Sequence, residues 1–479
     1  MRCVLAAALS AAIFLLSGCL VGPKYVKPAL PPNPGPDAYK ETDPNWKPTN
    51  PSDAALKGDW WEIFHEPVLD DLESKVAGLN QSLKASEARF REARAQIRIN
   101  RADLYPTIGT APYAIGERYS ANRPYFSRAL ANNGEADLLL PLDLNYEIDF
   151  WGRIRRTINV AKEETQASAA DLATAQLSLQ AEVAYDYFEL RSADAQKKLL
   201  ADTVKDYEEA LRITTNRFEG GISNESDVFQ ARTQLQAAIV AQLDIAVQRA
   251  QDEHAIAVLI GQPPASFTIA EAPLNTEPPF IPTGLPSQLL ERRPDIAAAE
   301  RRANEANERI GIARAAFFPS VALSASVGFE STAISNFFNA SNFVYSLGPT
   351  LSQTFFDAGR RAGISQQAYA SFDEVSANYR QTSLTAYQEV EDNLVALRIL
   401  SQEALQQRQA TVAAQGAEQI FNNRYVGGLD TYLQVVTAQN AALSNERNEI
   451  DIMRRRMDAS VLLIKALGGG WSTAQLPNY

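Results

Sequence analysis

The stretch NRFEGGISNESDVFQA at residues 216–231 is answered by NRYVGGLDTYLQVVTA at residues 423–438, 207 positions later. The same displacement carries Gly152-Arg153 onto Gly359-Arg360 and Gly261 onto Gly468, while LYPTIG from Leu104 and FFPSVA from Phe317 stand 213 apart. Agreement at one displacement in several places means a tandem duplication, and a chain written twice must fold as two copies of one unit. Proline-rich stretches bound the copies: VGPKYVKPALPPNPGPDAYKETDPNWKPTNP precedes the first, and GQPPASFTIAEAPLNTEPPFIPTGLP at 261–286 separates them. The expected organisation is a signal at 1–18, a tether at 19–59, a first copy at 60–262, a linker at 263–286, a second copy at 287–468 and a tail at 469–479. Strands are expected at about 106–150 and 319–357, and hairpin tips at about 216–226 and 423–433.

Within each copy the hydrophobic period changes from two to helical. LLLPLDLNYEIDF sets Leu138, Leu140, Leu142, Leu144, Tyr146, Ile148 and Phe150 on one face, with Asp143, Asn145, Glu147 and Asp149 on the other. VALSASVGFE alternates likewise, Val321, Leu323, Ala325, Val327 and Phe329 against Ser324, Ser326 and Glu330. These are strands with one oily and one wet side. About 13 residues at roughly 3.3 Å, tilted near 40°, rise about 30 Å, enough to cross a membrane's apolar band. Each strand alone fits a soluble sandwich equally well.

The helical portions decide between the two. A seam at spacings of four and three runs through Leu172, Leu179, Val183, Leu190, Ala193, Leu200, Val204, Tyr207, Leu211 and Phe218. With no proline between Pro141 and Pro263, one helix is expected from about Gly152 to Phe218, on the order of 100 Å at 1.5 Å per residue. Gly220-Gly221 and Gly427-Gly428 supply helix-ending left-handed positions, and Ser223, Asn224 or Asp430 are candidates to cap the returning helix. The first return helix, from about Asn224 to Ile260, is expected to continue end to end in the helical stretch from Ser287. The fold class is mainly α with a membrane β-barrel. Four strands per chain cannot close a barrel; two chains give eight strands and a filled interior, three give twelve and an open lumen.

Export is written at the start. MRCVLAAALSAAIFLLSGCL has one charge at Arg2 and an apolar run from Val4 to Leu16, a secretory signal too short to span a bilayer. Leu16-Ser17-Gly18-Cys19 resembles a bacterial lipobox, which makes Cys19 the candidate acylated first residue of the mature chain. Two or three acyl chains give stable anchoring. Cys3 leaves with the signal, so no internal disulfide is possible. The formal net charge of −12 disfavours nucleic acid as a partner. His65 and His254 lie far apart, and no zinc motif, phosphate loop or nucleophile elbow occurs, so neither an enzyme nor a resident metal or cofactor is expected.

GPKYVKP after the lipobox, WWEIFHEPVLDDL, DFWGRIRR, RFEGGISNESDV, ERRPDIAAAERR, RAAFFPS, FFDAGRR and ALGGGW together resemble the outer membrane factor family of TolC-like channels, in the lipid-anchored OprM and NodT branch. The resemblance implies a homotrimer with a twelve-stranded β-barrel continuous with a long α-helical coiled-coil barrel. It also implies a periplasmic adaptor protein and an inner-membrane transporter of the resistance-nodulation-division class as partners, beside outer membrane lipid. Carried onto this chain, the periplasmic gate falls on Leu433 as an apolar ring, and on Gln434 and Thr437 where relatives commonly have aspartates, with Tyr425 as a tip tyrosine. Asp430 stands where some relatives have an arginine, and Asp227 is a candidate lumen carboxylate, with helix capping as the alternative. Arg217, Gly220, Gly221, Arg424, Gly427 and Gly428 are the candidate adaptor-facing tips.

The leading expectation is an exit duct for a tripartite drug pump. A duct for polypeptide secretion or for metal cations is the alternative, although Met453 and Met457 alone make a poor path for soft metal ions. A coiled-coil lipoprotein without a passage would need no amphipathic strands.

Overall fold

The computed structural model describes residues 20–29, 39–41, 58–118, 120, 122, 134–274, 276–281 and 289–479. Cys19 and the signal segment lie outside the described residues.

The duplication is metrical. The first copy holds α1 (Pro67–Leu79), α2 (Gln81–Ala102), β1 (Thr107–Gly109), β2 (Tyr113–Glu117), β3 (Glu135–Ile148), α3 (Arg153–Glu219) and α4 (Glu225–Leu259). The second holds α5 (Leu289–Arg292), α6 (Pro294–Ala315), β4 (Ser320–Ser331), β5 (Phe343–Ser352), α7 (Arg360–Val426) and α8 (Tyr432–Ala466). The long helices α3 and α7 have 67 residues each, the return helices α4 and α8 have 35, and α2 and α6 have 22. The long helix expected from Gly152 to Phe218 thus spans Arg153 to Glu219, about 100 Å at 1.5 Å per residue.

One expectation is corrected. The return helix α4 does not continue into the stretch from Ser287; it abuts the start of α2, and α8 abuts the start of α6. Asn80 Nδ2 donates to the Leu259 carbonyl at 2.7 Å, while its Oδ1 accepts from Leu83 N at 2.9 Å. It closes the end of one helix and opens the next. Arg293, its counterpart 213 positions on, donates from Nη1 to the Ala466 carbonyl at 3.0 Å. At each joint a glycine with positive φ turns the chain aside, Gly261 at 70° and Gly468 at 93°. A Cβ on Gly261 would stand 2.5 Å from the Leu79 carbonyl oxygen, and one on Gly468 2.2 Å from that of Arg292. Only glycine fits both the torsion and the gap. The joint is made by a single close approach between distant segments, which leaves no periodic trace in the sequence.

The four helix ends meet around an apolar belt. Trp60, Phe64, Leu69, Tyr187, Phe188, Ile256, Met457 and Ile464 are among its buried members. Phe64 and Phe188 have ring centroids 5.0 Å apart. The linker crosses this belt on a charged anchor. Asp194, with its side chain 1% exposed, accepts from Arg249 Nε at 2.7 Å, from Arg191 Nη1 at 3.2 Å and from Ala272 N at 3.0 Å. The two arginines donate onward to the carbonyls of Ala270 and Ile269, each at 2.7 Å. Two guanidiniums out of water are tolerated because this carboxylate, Glu253 at 3.2 Å from Arg249 Nη1 and the two backbone carbonyls receive their N–H groups.

The strands form one antiparallel sheet in which β3 pairs with β4 and β4 with β5, while β1 and β2 both pair with β3. Thr107↔Asn145 and Glu117↔Glu135 belong to one register, so β1 and β2 are one strand interrupted. Pro112 lies in the gap and Pro141 on the facing strand; neither has an N–H to give. Four strand positions result, and β1/β2 and β5 are left as open edges.

The amino-terminal stretch is held against the helices. Val21 N donates to the Trp151 carbonyl at 3.2 Å, and Arg380 Nε to that of Ala29 at 2.9 Å. Further on, Lys40 N and Glu41 N donate to the Glu391 carboxylate at 2.8 and 3.1 Å. Of the tether, residues 20–29 thus lie along the helices from the strand–helix junction and residues 39–41 lie beside the belt.

Replacing Asp194 by alanine leaves the buried Arg191 without its carboxylate and Arg249 with Glu253 alone, for an expected loss of about 3 kcal/mol. The expected outcome is a lowered urea midpoint and faster chymotrypsin cleavage after Phe267, Leu274 or Phe280 in the linker, with Asp194→Glu far milder; unchanged cleavage would contradict the anchor.

Candidate functional site

The β-sheet has two chemically distinct faces. Pairing sets Leu140 beside Phe329, Leu142 beside Val327, Leu144 beside Ala325, Tyr146 beside Leu323 and Ile148 beside Val321. The next ladder continues this face with Phe343, Tyr345, Leu347, Pro349 and Leu351. The opposite face carries Asp143, Asn145 and Glu147 beside Ser326, Ser324 and Ala322, then Ser346, Gly348 and Thr350. Ser324 Oγ donates to Asn145 Oδ1 at 3.3 Å across it. A sheet apolar on one face and hydroxyl- and acid-lined on the other fits between lipid and a wet lumen.

Aromatic rings bracket the apolar face at both heights. At the helix-side ends of the strands stand Tyr105, Trp151, Phe317, Phe318, Phe355 and Phe356, the last two 93% and 86% exposed. Trp151 stacks on Phe318 at 4.6 Å and donates from Nε1 to the Pro319 carbonyl at 2.8 Å. At the far ends, Phe329 meets Phe338 at 5.4 Å and Phe343 at 5.9 Å. Such paired girdles mark the two interfaces of an apolar layer. Sequence reasoning missed them, although FFP, FFD and FWG at the strand ends carry the signal. Among the described residues no helix is long and apolar enough to cross a membrane.

The opposite pole of the chain is formed by the two hairpin tips. Each long helix ends in the same way: Gly220 and Gly427 keep right-handed torsions, and Gly221 and Gly428 take φ of 74° and 75°. Ile222 N donates to the Arg217 carbonyl and Leu429 N to that of Arg424, both at 2.8 Å. Only the second glycine of each pair is left-handed, which corrects the expectation for Gly220 and Gly427. No side chain caps α4 or α8: Asn224 and Thr431 occupy the capping positions without bonding, and Ser223 Oγ donates to the Thr214 carbonyl at 3.5 Å. Asp430 instead pairs with Arg424 Nε at 2.5 Å. A charged acceptor six residues from an arginine is drawn to it in preference to neutral backbone N–H groups. Asp227 lies half-buried in the first turn of α4.

The two tips are joined by Arg217. Its Nη1 donates to the Val426 carbonyl at 2.9 Å and its guanidinium lies 4.7 Å from the centroid of the Tyr425 ring. Tyr425 is only 4% exposed, and packs with Tyr432, Val435 and Ala231 in a small core between the hairpins. Burial, with Tyr425 and Asp227 adding to it, pushes the Tyr432 hydroxyl up to about 12, so it stays neutral. Phe218, the counterpart of Tyr425, is 41% exposed. Leu433, Gln434 and Thr437 share the exposed face of α8, opposite the buried Tyr432, Val435 and Ala438, and Thr437 Oγ1 donates to the Leu433 carbonyl at 2.9 Å. The bridge from Arg217 is the feature that the sequence did not reveal, because Arg217 and Arg424 occupy the same place in the repeat yet bind differently.

The outer membrane efflux protein family matches residues 72–262 and 285–469. The chain is 32% identical over 470 residues to the probable efflux pump outer membrane protein TtgC of Pseudomonas putida, covering 97% of this chain and 95% of that protein. It is 32% identical over 426 residues to the pyoverdine export outer membrane protein OpmQ of Pseudomonas aeruginosa, covering 88% and 89%. The solved outer-membrane channel OprN superposes with a TM-score of 0.86 at 29% identity, over 95% of this chain and 100% of that one. The two matched spans correspond to the two copies described above, and the chain belongs to the outer membrane efflux protein family.

Proposed function

We propose that this protein is the outer membrane exit duct of a tripartite pump of the resistance-nodulation-division class, passing small amphiphilic compounds outward without chemistry of its own. The observation that carries the reading is the four-position sheet, oily outside, wet inside and ringed by aromatics, continuous with 67-residue helices that descend from it. Three sheets make a twelve-stranded barrel with an open lumen. Passage through a tube requires no binding pocket, and specificity lies with the partners that load it.

The partners are an inner-membrane transporter and a periplasmic adaptor. The adaptor meets the tips around Arg217, Gly220, Gly221, Arg424, Gly427 and Gly428, where Phe218, Ile222, Val426 and Leu429 expose apolar surface. Leu433, Gln434 and Thr437 face the axis as the closing ring, Tyr425 steadies them from behind, and Asp227 borders the same ring. Cys19 carries the lipid. Leu20, the next residue in sequence, packs within 3.1 Å of where a Cβ on Gly152 would sit, at the helix-side aromatic girdle, which supports this reading.

A clean deletion strain, complemented or not, is the test of the cargo class: hypersensitivity to unrelated dyes and lipophilic antibiotics restored by the gene supports the duct for amphiphiles. A phenotype confined to metal salts or to one missing secreted protein would replace that cargo. Leu433→Ser is expected to raise single-channel conductance in planar bilayers and the uptake of large antibiotics several-fold. Arg217→Ala, which frees the Val426 carbonyl and uncovers Tyr425, acts in the same direction; conductance unchanged in both would remove the gate from this end. Labelled palmitate is expected on the wild-type chain and absent from Cys19→Ala, and equal labelling would refute the anchor.

A further inference from the structure

The short helices α2 and α6 present corresponding faces to different surroundings. On α6 that face is covered by the tether: Asn307 Nδ2 donates to the Pro23 carbonyl at 3.4 Å, and a Cβ on Gly22 would stand 2.6 Å from Gly311 Cα. Moved 213 positions back onto α2, Asn304, Asn307, Gly311 and Arg314 become Arg91, Arg94, Arg98 and Arg101. All four arginines are exposed, and among the described residues none of their guanidinium groups has a hydrogen bond or an ion pair. They line an open groove of about 480 Å³ whose other walls include Ile97 and Tyr479. The nearest acid along the same line of the helix, Glu87, lies one turn beyond Arg91, away from the sheet.

The direction and height of this stripe narrow what it meets. At about 100° per residue the four arginines fall within about 80° of arc, about 100° from the line of Ala93, Ile97 and Asn100 that faces α3. On that line Thr165 Oγ1 donates to the Ala93 carbonyl at 3.0 Å and Asn100 Nδ2 to that of Thr157 at 3.3 Å. The flank opposite α3, small at Ala88, Ala95 and Ala102, is left to the next helix of a closed ring, so the arginines stand on neither flank. Tether and tail touch α3 along one line, the tether at Gly152 and Arg156, the tail at Gln166 and Ala170. A chain that leads to a lipid anchor runs outside the tube, so this line, the tail upon it and the groove beside Tyr479 face outward. Arg101 is in the last turn of α2, and Tyr105 of the helix-side girdle follows four residues on. Ile108, next along the chain on β1, pairs with Leu144 of the apolar face. From Arg101 to Arg91 the helix descends about 15 Å, against a headgroup layer roughly 5–7 Å deep. Arg101 and Arg98 therefore stand at headgroup height, with Arg94 and Arg91 just beneath.

We propose that the outward groove of α2 binds the phosphate headgroup of an anionic phospholipid from the periplasmic leaflet, held by Arg94, Arg98 and Arg101, with its acyl chains beside Tyr105 and Ile108. A guanidinium meets phosphate oxygens through paired N–H donors, and basic clusters at a membrane surface select anionic headgroups. The two copies then use corresponding faces alike: that of α6 takes the stretch behind the chain's own lipid anchor, and that of α2 takes a free lipid. The proposal rests on the outer membrane reading above and adds to it a lipid site and the residues that form it.

Photoactivatable phosphatidylglycerol, added to the full-length protein purified from outer membranes in nonionic detergent, tests the site. The wild type is expected to label on α2 and β1, and the triple variant Arg94→Gln, Arg98→Gln, Arg101→Gln about tenfold less. Arg89→Gln, which removes a charge from another face of α2, is expected to label as the wild type does, and photoactivatable phosphatidylcholine to label all three only weakly. Millimolar inorganic phosphate is expected to leave the labelling unchanged; its abolition would make this a site for free phosphate and overturn the lipid. Equal labelling of the wild type and the triple variant overturns the proposal, as does a variant that keeps its lipid but loses binding of soluble cell-wall fragments. The position of the adduct on the wild type needs no variant, so an adduct confined to segments other than α2 and β1 overturns the groove even where the triple variant does not assemble. A wild-type chain that is not recovered with the outer membrane removes the membrane reading itself, and the lipid site with it.

Discussion

An amide or carbonyl that faces hydrocarbon without a partner costs several kcal/mol, because no water is there to replace it. Four strand positions in a row leave two such edges, β1/β2 and β5. This one constraint organises the molecule: the sheet is stable in a bilayer only as part of a closed ring, the ring can close only with other copies, and the helices that continue from the strands inherit the symmetry of that ring.

Beneath the barrel, the helical body solves a problem of length. A 67-residue helix needs cover along all of its height, and no single return helix provides it. Each copy uses a 35-residue and a 22-residue helix laid end to end, and the joints are closed by Asn80 or Arg293 at one helix's last carbonyls and by a glycine backed against a neighbouring carbonyl oxygen. Such joints would be weak in isolation. They lie in the apolar belt of Trp60, Phe188 and Ile464, where the Asp194 anchor also fixes the linker, so the seam of the helices coincides with the best-packed part of the chain.

Much of this was legible in advance, and the exceptions share a cause. Period-two alternation at 138–148 and 321–329, the proline-free run to Phe218 and the paired glycines each repeat a local rule, and each matches an observed strand, helix or turn. The misreadings concern contacts between parts of the chain that no local rule connects. Asp430 beside a helix start reads as a cap, but Arg424 across the turn competes for it and wins on charge. The joining of α4 to α2 rather than to the following segment rests on Gly261 and Leu79, 182 positions apart. At the tips, identical repeat positions diverge because one tyrosine is enclosed and one phenylalanine is not, a fact of packing that the letters Phe218 and Tyr425 do not contain.

The equality of lengths between the copies carries a consequence for how such a chain can change. One residue inserted into α3 alone would lower its tip by about 1.5 Å and turn everything beyond the insertion by about 100° relative to α7. The bridge from Arg217 to Val426, at 2.9 Å, has no slack for either movement. The duplicated halves are therefore free to drift apart letter by letter, as Phe218 and Tyr425 have, while insertions and deletions in the long helices are survivable only when both halves take them together. Substitution and length are thus under separate rules in this chain, and the second rule binds two genetic segments 207 positions apart as though they were one.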